Sequence, residues 1–182
     1  MSDTTVFDDL PGDLMIWVLI ISELLVFGAG LAAFMAVRVS DPTGFAMAQD
    51  ALSRTGAGIN TVVLVTSGAL AAWALYLREN ARRGVARLAL IAAASLGIVF
   101  LIIKGVEYAD KASLGIAWDT HPFYTFYYLL TGFHAAHVVA GVVVLLLIAW
   151  KDAPRNIEAG AAFWHMVDLV WVLLFPVIYL LR

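Results

Sequence analysis

The sequence predicts an all-α polytopic membrane protein, a single domain over residues 1–182 built as one bundle of five transmembrane helices. Three observations predict it. The chain of 182 residues is 63% hydrophobic and 14% charged, with a mean hydropathy of +0.90. A soluble core of this size could not hide so much apolar surface. Five apolar segments stand at about 14–37, 59–77, 88–104, 123–150 and 159–181, each near the roughly 20 residues that cross a bilayer. The stretches between them, Arg38–Gly58, Arg78–Arg87, Lys104–Pro122 and Lys151–Glu158, are short, so successive spans run antiparallel.

The first span follows the acidic turn Pro11-Gly12-Asp13 and is interrupted only by Glu23. Its Gly28, Ala32 and Ala36 recur every four residues, a ridge that lets another helix approach closely. The second carries Asn60 near its start and Ser67-Gly68 in its middle. The third is short, and Arg87 and Lys104 at its ends can snorkel. The fourth has no formal charge from Phe123 to Trp150, yet holds His134 and His137, three apart and therefore on one side. It also carries a second small-residue ridge, Gly132, Ala136 and Ala140, expected to be buried against a helix of this chain or of a partner. The fifth contains His165, Asp168 and Pro176; Pro176 cannot donate to the carbonyl of Val172, so a kink is expected. Trp17, Trp118 and Trp150 fall near span ends, as an aromatic belt would place them. Trp164 and Trp171, seven apart, read as packing.

Several function classes are excluded. A net charge of −3 signals no nucleic-acid partner. With no cysteine, disulfides, iron–sulfur clusters and thiolate metal sites are ruled out. The N-terminal stretch is acidic, unlike the basic start of a signal peptide, so the first apolar segment is expected to be retained. Arg78, Arg82, Arg83, Arg87, Lys151 and Arg155 share a side with the N-terminus, against Arg38, Arg54, Lys104, Lys111 and Arg182 on the other. The expected orientation in a bacterial inner membrane is thus N-terminus cytoplasmic and C-terminus periplasmic.

A helix rises about 1.5 Å per residue, which puts Glu23, His134 and Asp168 at one depth, with His137 and His165 one turn away. Ionisable groups at mid-membrane must find partners. His134 is expected to reach Glu23 or Asp168, with no metal or catalytic group among these five. Asn60, Lys104 and Glu107 are expected at the outer interface, with Lys104 and Glu107 paired three apart.

Five stretches carry a family resemblance: SELLVF (Ser22–Phe27), NTVVLVTSG (Asn60–Gly68), KGVEY (Lys104–Tyr108), FYTFYYLLTGFHAAHVVAG (Phe123–Gly141) and FWHMVDLVWVLLF (Phe163–Phe175). In this order they resemble subunit III of the haem–copper cytochrome oxidases, in which the position of Glu23 is the carbodiimide-reactive glutamate. LPGDLMIW (Leu10–Trp17) and FPVIYLLR (Phe175–Arg182) resemble the five-helix, nitric oxide reductase-associated (NorE-type) branch. The resemblance implies a non-catalytic accessory subunit with no cofactor of its own. It binds phospholipid, docks beside a haem-bearing catalytic subunit of a nitric oxide reductase or oxidase, and supports its assembly or sustained turnover. The alternatives are subunit III proper of a proton-pumping cytochrome c or quinol oxidase, a small b-type cytochrome ligated by His137 and His165, and a proton channel using Glu23, His134 and Asp168.

Overall fold

The computed structural model describes residues 14–151 and 154–181. Pro11-Gly12-Asp13 and Arg182 lie outside the described residues. Six helices follow in order: α1 (Leu14–Ser40), α2 (Pro42–Asp50), α3 (Arg54–Glu79), α4 (Arg83–Ser113), α5 (Pro122–Lys151) and α6 (Pro154–Phe175), the last widening into a π turn over Pro176–Leu180. Among the described residues five stretches are long and apolar enough to cross a membrane: α1, α3, α4, α5 and the stretch Asn156–Leu180. Their outer faces carry exposed Leu25, Val62, Leu88, Leu129 and Trp150, a surface that only lipid or another apolar surface suits. This is an all-α, multi-pass membrane protein.

The four helices α3 to α6 close a ring, each packed on the next and α6 returning to α3. α1 lies outside that ring, against α5 and α6. The ring closes tightly because its centre is one indole. Trp164 of α6 is fully buried and meets all three other helices. A Cβ added at Gly97 of α4 would come within 2.7 Å of its ring, and one added at Gly141 of α5 would overlap it. Its Nε1 donates to Ser67 Oγ of α3 at 3.1 Å, and Ser67 donates onward to the Ala93 carbonyl of α4 at 2.7 Å. The glycines needed for close approach are therefore Gly97 and Gly141. The expected ridges do not serve this purpose within the chain. Ala136 and Ala140 face outward, and so do Gly28, Ala32 and Ala36.

The connections are tighter than the apolar runs indicate. α3 and α4 are joined through Asn80–Arg82, where Arg82 N–H donates to the Leu77 carbonyl at 2.9 Å and Ala81 N–H to Arg78 at 3.1 Å. This is the Schellman closure, and it holds Ala81 at φ 60°, a conformation that favours glycine. The stretch Arg38–Gly58 is not a plain loop, because it contains α2. Asp41 caps α2, accepting from Gly44 N–H at 3.0 Å, and Pro42 follows at its first turn. The same carboxylate lies 3.1 Å from His121 Nε2. Its pKa is lowered from the ordinary 3.8, first by the Gly44 N–H and then by His121. Phe34, Phe45 and Phe123 meet edge-to-face beneath this corner. Arg38 does not reach solvent either: it is buried and donates to the Leu181 carbonyl at 2.5 Å.

At Pro176, where a kink is expected, the helix continues into the π turn, in which Leu181 N–H reaches the Pro176 carbonyl at 2.8 Å. Extra volume in a filled contact costs about 1–3 kcal/mol. Gly141→Ala should therefore lower stability by about that amount, whereas Ala136→Leu should change it by less than about 0.5 kcal/mol. Thermal unfolding of both variants in detergent checks this, and the opposite ranking would return the packing role to the outward ridge.

Candidate functional site

The polar residues expected at mid-membrane do not form one cluster. They are held at three separate places on the ring. At the first, Glu23 of α1 faces His137 of α5, Oε2 to Nε2 at 3.1 Å but off the line of an imidazole N–H. His137 Nδ1 donates to the Phe133 carbonyl one turn earlier, at 2.9 Å. With that nitrogen committed as donor, Nε2 carries a lone pair in the neutral ring. An attractive contact with a carboxylate then requires one further proton, on the ring or on the carboxyl. Phe27 and Phe133 pack edge-on or tilted around this pair.

At the second place His134 is fully buried, and neither ring nitrogen has a hydrogen-bond partner among the described residues. The expected contact with Glu23 or Asp168 is not made. Helix α5 instead turns the imidazole onto the Trp171 indole, stacked at 5.2 Å between centroids, with the Phe100 ring edge-on at 5.5 Å. Trp171 Nε1 is itself spent on Thr61 Oγ1 at 3.0 Å.

At the third place Asp168 of α6 lies against Gly68 of α3, where any Cβ would strike its carboxyl oxygen. His165 Nδ1 stands 3.9 Å from that oxygen, beyond hydrogen-bond reach. His137 and His165 thus turn toward different helices.

The trio expected at the outer interface is turned inward between helices, with Lys104 and Glu107 paired as expected. Asn60 is fully buried and donates to the Phe100 carbonyl at 3.3 Å. Lys104, 2% exposed, does not snorkel. α3 begins at Arg54 and α4 runs on to Ser113, so both positions lie more than a turn inside their helices. Lys104 Nζ donates to Glu107 Oε2 at 2.9 Å, Tyr179 OH at 2.7 Å and Tyr127 OH at 3.2 Å. Tyr179 OH then donates to Glu107 at 3.1 Å. The ammonium also lies 4.8 Å from the Tyr127 ring centroid and 5.4 Å from that of Trp171, within cation–π range. Beside it, Thr131 donates to the Tyr127 carbonyl, leaving Tyr108 OH as the donor to Thr131 Oγ1, both at 2.5 Å. All three Lys104 donors are satisfied, which is what makes a buried ammonium tolerable.

The sequence pairs Lys104 with Glu107 but misses Tyr127 and Tyr179. Tyr179 reaches the cluster only from the π turn. The available signal was the fourth span's FYTFYY run, too rich in tyrosine for a purely lipid-facing surface.

The whole of this frame, residues 5–182, matches the family model described as "Cytochrome c oxidase subunit III". The chain belongs to that family. It is similar to the cytochrome c oxidase subunit 3 of Marchantia polymorpha, 35% identical over an alignment of 132 residues that covers 66% of this chain and 48% of that one. It is also similar to that of Synechocystis sp., 32% identical over 134 residues, 68% of this chain and 56% of the relative. With that of Thermostichus vulcanus it is 30% identical over 178 residues, 90% of this chain and 84% of the relative. The chain spans about half the length of curated relatives such as the Marchantia one. In this subunit III-family chain the five resembling stretches carry Glu23, Asn60, Lys104, His134 and Asp168, so the three polar places and the lysine network all lie within the matched region.

Removing one partner of a buried ion pair typically costs about 3–5 kcal/mol. Lys104→Met should destabilise the protein on that order, by leaving Glu107 facing only phenols. The double variant Lys104→Met/Glu107→Gln should recover more than half the loss. Melting curves of the two variants in detergent test this; equal losses would show that Lys104 acts through packing alone.

Proposed function

We propose that this protein is a non-catalytic accessory subunit of a haem–copper respiratory oxidase, docking beside a haem-bearing catalytic subunit, holding lipid, and supporting assembly or sustained turnover. The observation that carries the reading is how the bundle spends its interior within a chain matched to subunit III over residues 5–182. The space between α3, α4, α5 and α6 is filled by Trp164, Trp171, Phe100 and Leu64. His134 is stacked between rings there, and His137 and His165 face separate neighbours. Such a frame suits contact and support better than turnover, and it disfavours the haem-ligating and proton-relay alternatives. The relatives named above are oxidase subunits, which favours a cytochrome c oxidase partner over the nitric oxide reductase suggested by Leu10–Trp17 and Phe175–Arg182.

Affinity purification from gently solubilised native membranes should bring down a haem protein, seen in a reduced-minus-oxidised spectrum, that consumes oxygen. A co-purified haem protein that reduces nitric oxide instead would move the assignment to the NorE-type branch. Recovery of no haem protein would overturn the accessory reading.

The orientation follows from Arg78, Arg82, Arg83 and Arg87, clustered at the α3–α4 turn. We place that turn in the cytoplasm of a bacterial inner membrane. A reporter fused after Arg182 should be active only in the periplasm, and one inserted at Arg82 only in the cytoplasm. The reverse pattern would invert the assignment.

A further inference from the structure

We propose that the catalytic partner docks on the seam between α3 and α6 at mid-membrane, with a transmembrane helix that brings a hydrogen-bonding side chain to His165. The inference rests on the accessory-subunit reading and adds to it the contact face and its chemistry. Asp168 lies at the middle of the span Asn156–Leu180, and Gly68, against which its carboxyl rests, lies near the middle of Arg54–Glu79. The seam is therefore at mid-depth on both helices. Its outward member is His165, whose side chain is 45% exposed, whereas the Asp168 side chain is 11% exposed. Among the described residues Asp168 Oδ1 has no hydrogen-bond partner, and His165 Nδ1 stops 3.9 Å short of the carboxyl. The pair does not close on itself, and an imidazole is left at the surface. Around it the surface is apolar: Leu169 and Val172 share His165's side of α6, and exposed Val65 and Ala72 share Gly68's side of α3.

A half-exposed imidazole in hydrocarbon is costly, because nothing there can hydrogen-bond to it. Lipid does not solve this. At this depth a phospholipid offers only acyl chains, its headgroup lying near the ends of the roughly 30 Å core. A protein helix does solve it, since it can present a polar side chain at any depth while its apolar residues cover Leu169, Val172 and Val65. Polar contacts of this kind across transmembrane helices typically hold both geometry and register. Within this chain, α1 covers the α5–α6 side of the ring, leaving the α3–α6 seam outward.

The test places a photo-crosslinking residue at Leu169, and as a control at exposed Val143 on α5, the ring corner opposite α3, in cells carrying the native complex. Leu169 should yield a covalent adduct with the haem-bearing subunit and Val143 should not. His165→Leu should lower the haem protein recovered with the affinity-purified subunit by about tenfold, the worth of one buried hydrogen bond. It should leave the subunit's own melting temperature unchanged, and His165→Asn should restore recovery. Adducts from Val143 but not Leu169, adducts of Leu169 with a second copy of this chain, or undiminished recovery with His165→Leu would each overturn the docking face while leaving the accessory reading standing. Recovery of no haem protein with the unaltered chain would overturn both.

Discussion

The fold depends on one side chain having room at the centre of four helices. Trp164 brings α6 to within contact of α3, α4 and α5 together, and it does so only because Gly97 and Gly141 present no Cβ to its ring. Its indole N–H would be an orphan in that apolar centre without Ser67. Ser67 in turn donates its hydroxyl hydrogen bond to the Ala93 carbonyl of α4, so a single chain of contacts ties all four helices at one level. The loss of either glycine would push two helices apart, with consequences for every interhelical bond above and below.

Two further levels repeat the arrangement with different chemistry. Trp171 sits two turns from Trp164 on α6, holds Thr61 through its N–H, and offers its face to His134. Nearer the end of α6, Lys104 draws α4, α5 and the π turn together through Glu107, Tyr127 and Tyr179. The π turn matters here. Pro176 forfeits an amide donor, the last turn widens, and Tyr179 comes to rest on the lysine. A backbone defect thus positions a phenol that accepts from an ammonium and donates to a carboxylate. In a membrane, where no water can satisfy a stray charge, such closure is a condition of folding.

α1 is built on another plan. Only Phe27, Phe34 and Arg38 of its described residues are buried, a narrow stripe facing α5 and the end of α6. Its attachment is polar as much as apolar: Glu23 to His137 at mid-depth, and Arg38 to the Leu181 carbonyl at one end. The broad remainder, including Gly28, Ala32 and Ala36, is available to surroundings outside the chain. The ring thus closes on itself, whereas α1 keeps most of its described surface outward.

The sequence alone determined the all-α class, the five spans and the antiparallel order, because apolar length against bilayer thickness is a one-dimensional quantity. It also supplied the Lys104–Glu107 pair and the disturbance at Pro176, both of which are local along a helix. It set Glu23, His134, His137, His165 and Asp168 at similar heights along their helices and expected a polar partner for each, but height says nothing about direction around a helix axis, and His134 finds no such partner among the described residues. Only the tertiary structure decided that His137 rather than His134 faces Glu23, that His134 lies on Trp171, and that Gly97 and Gly141 rather than Gly132 and Ala136 line the close contacts. An evenly apolar helix such as α5 carries no moment to reveal its inward face. That face is set by volume, by which neighbour brings a ring too large to fit anywhere but against a glycine.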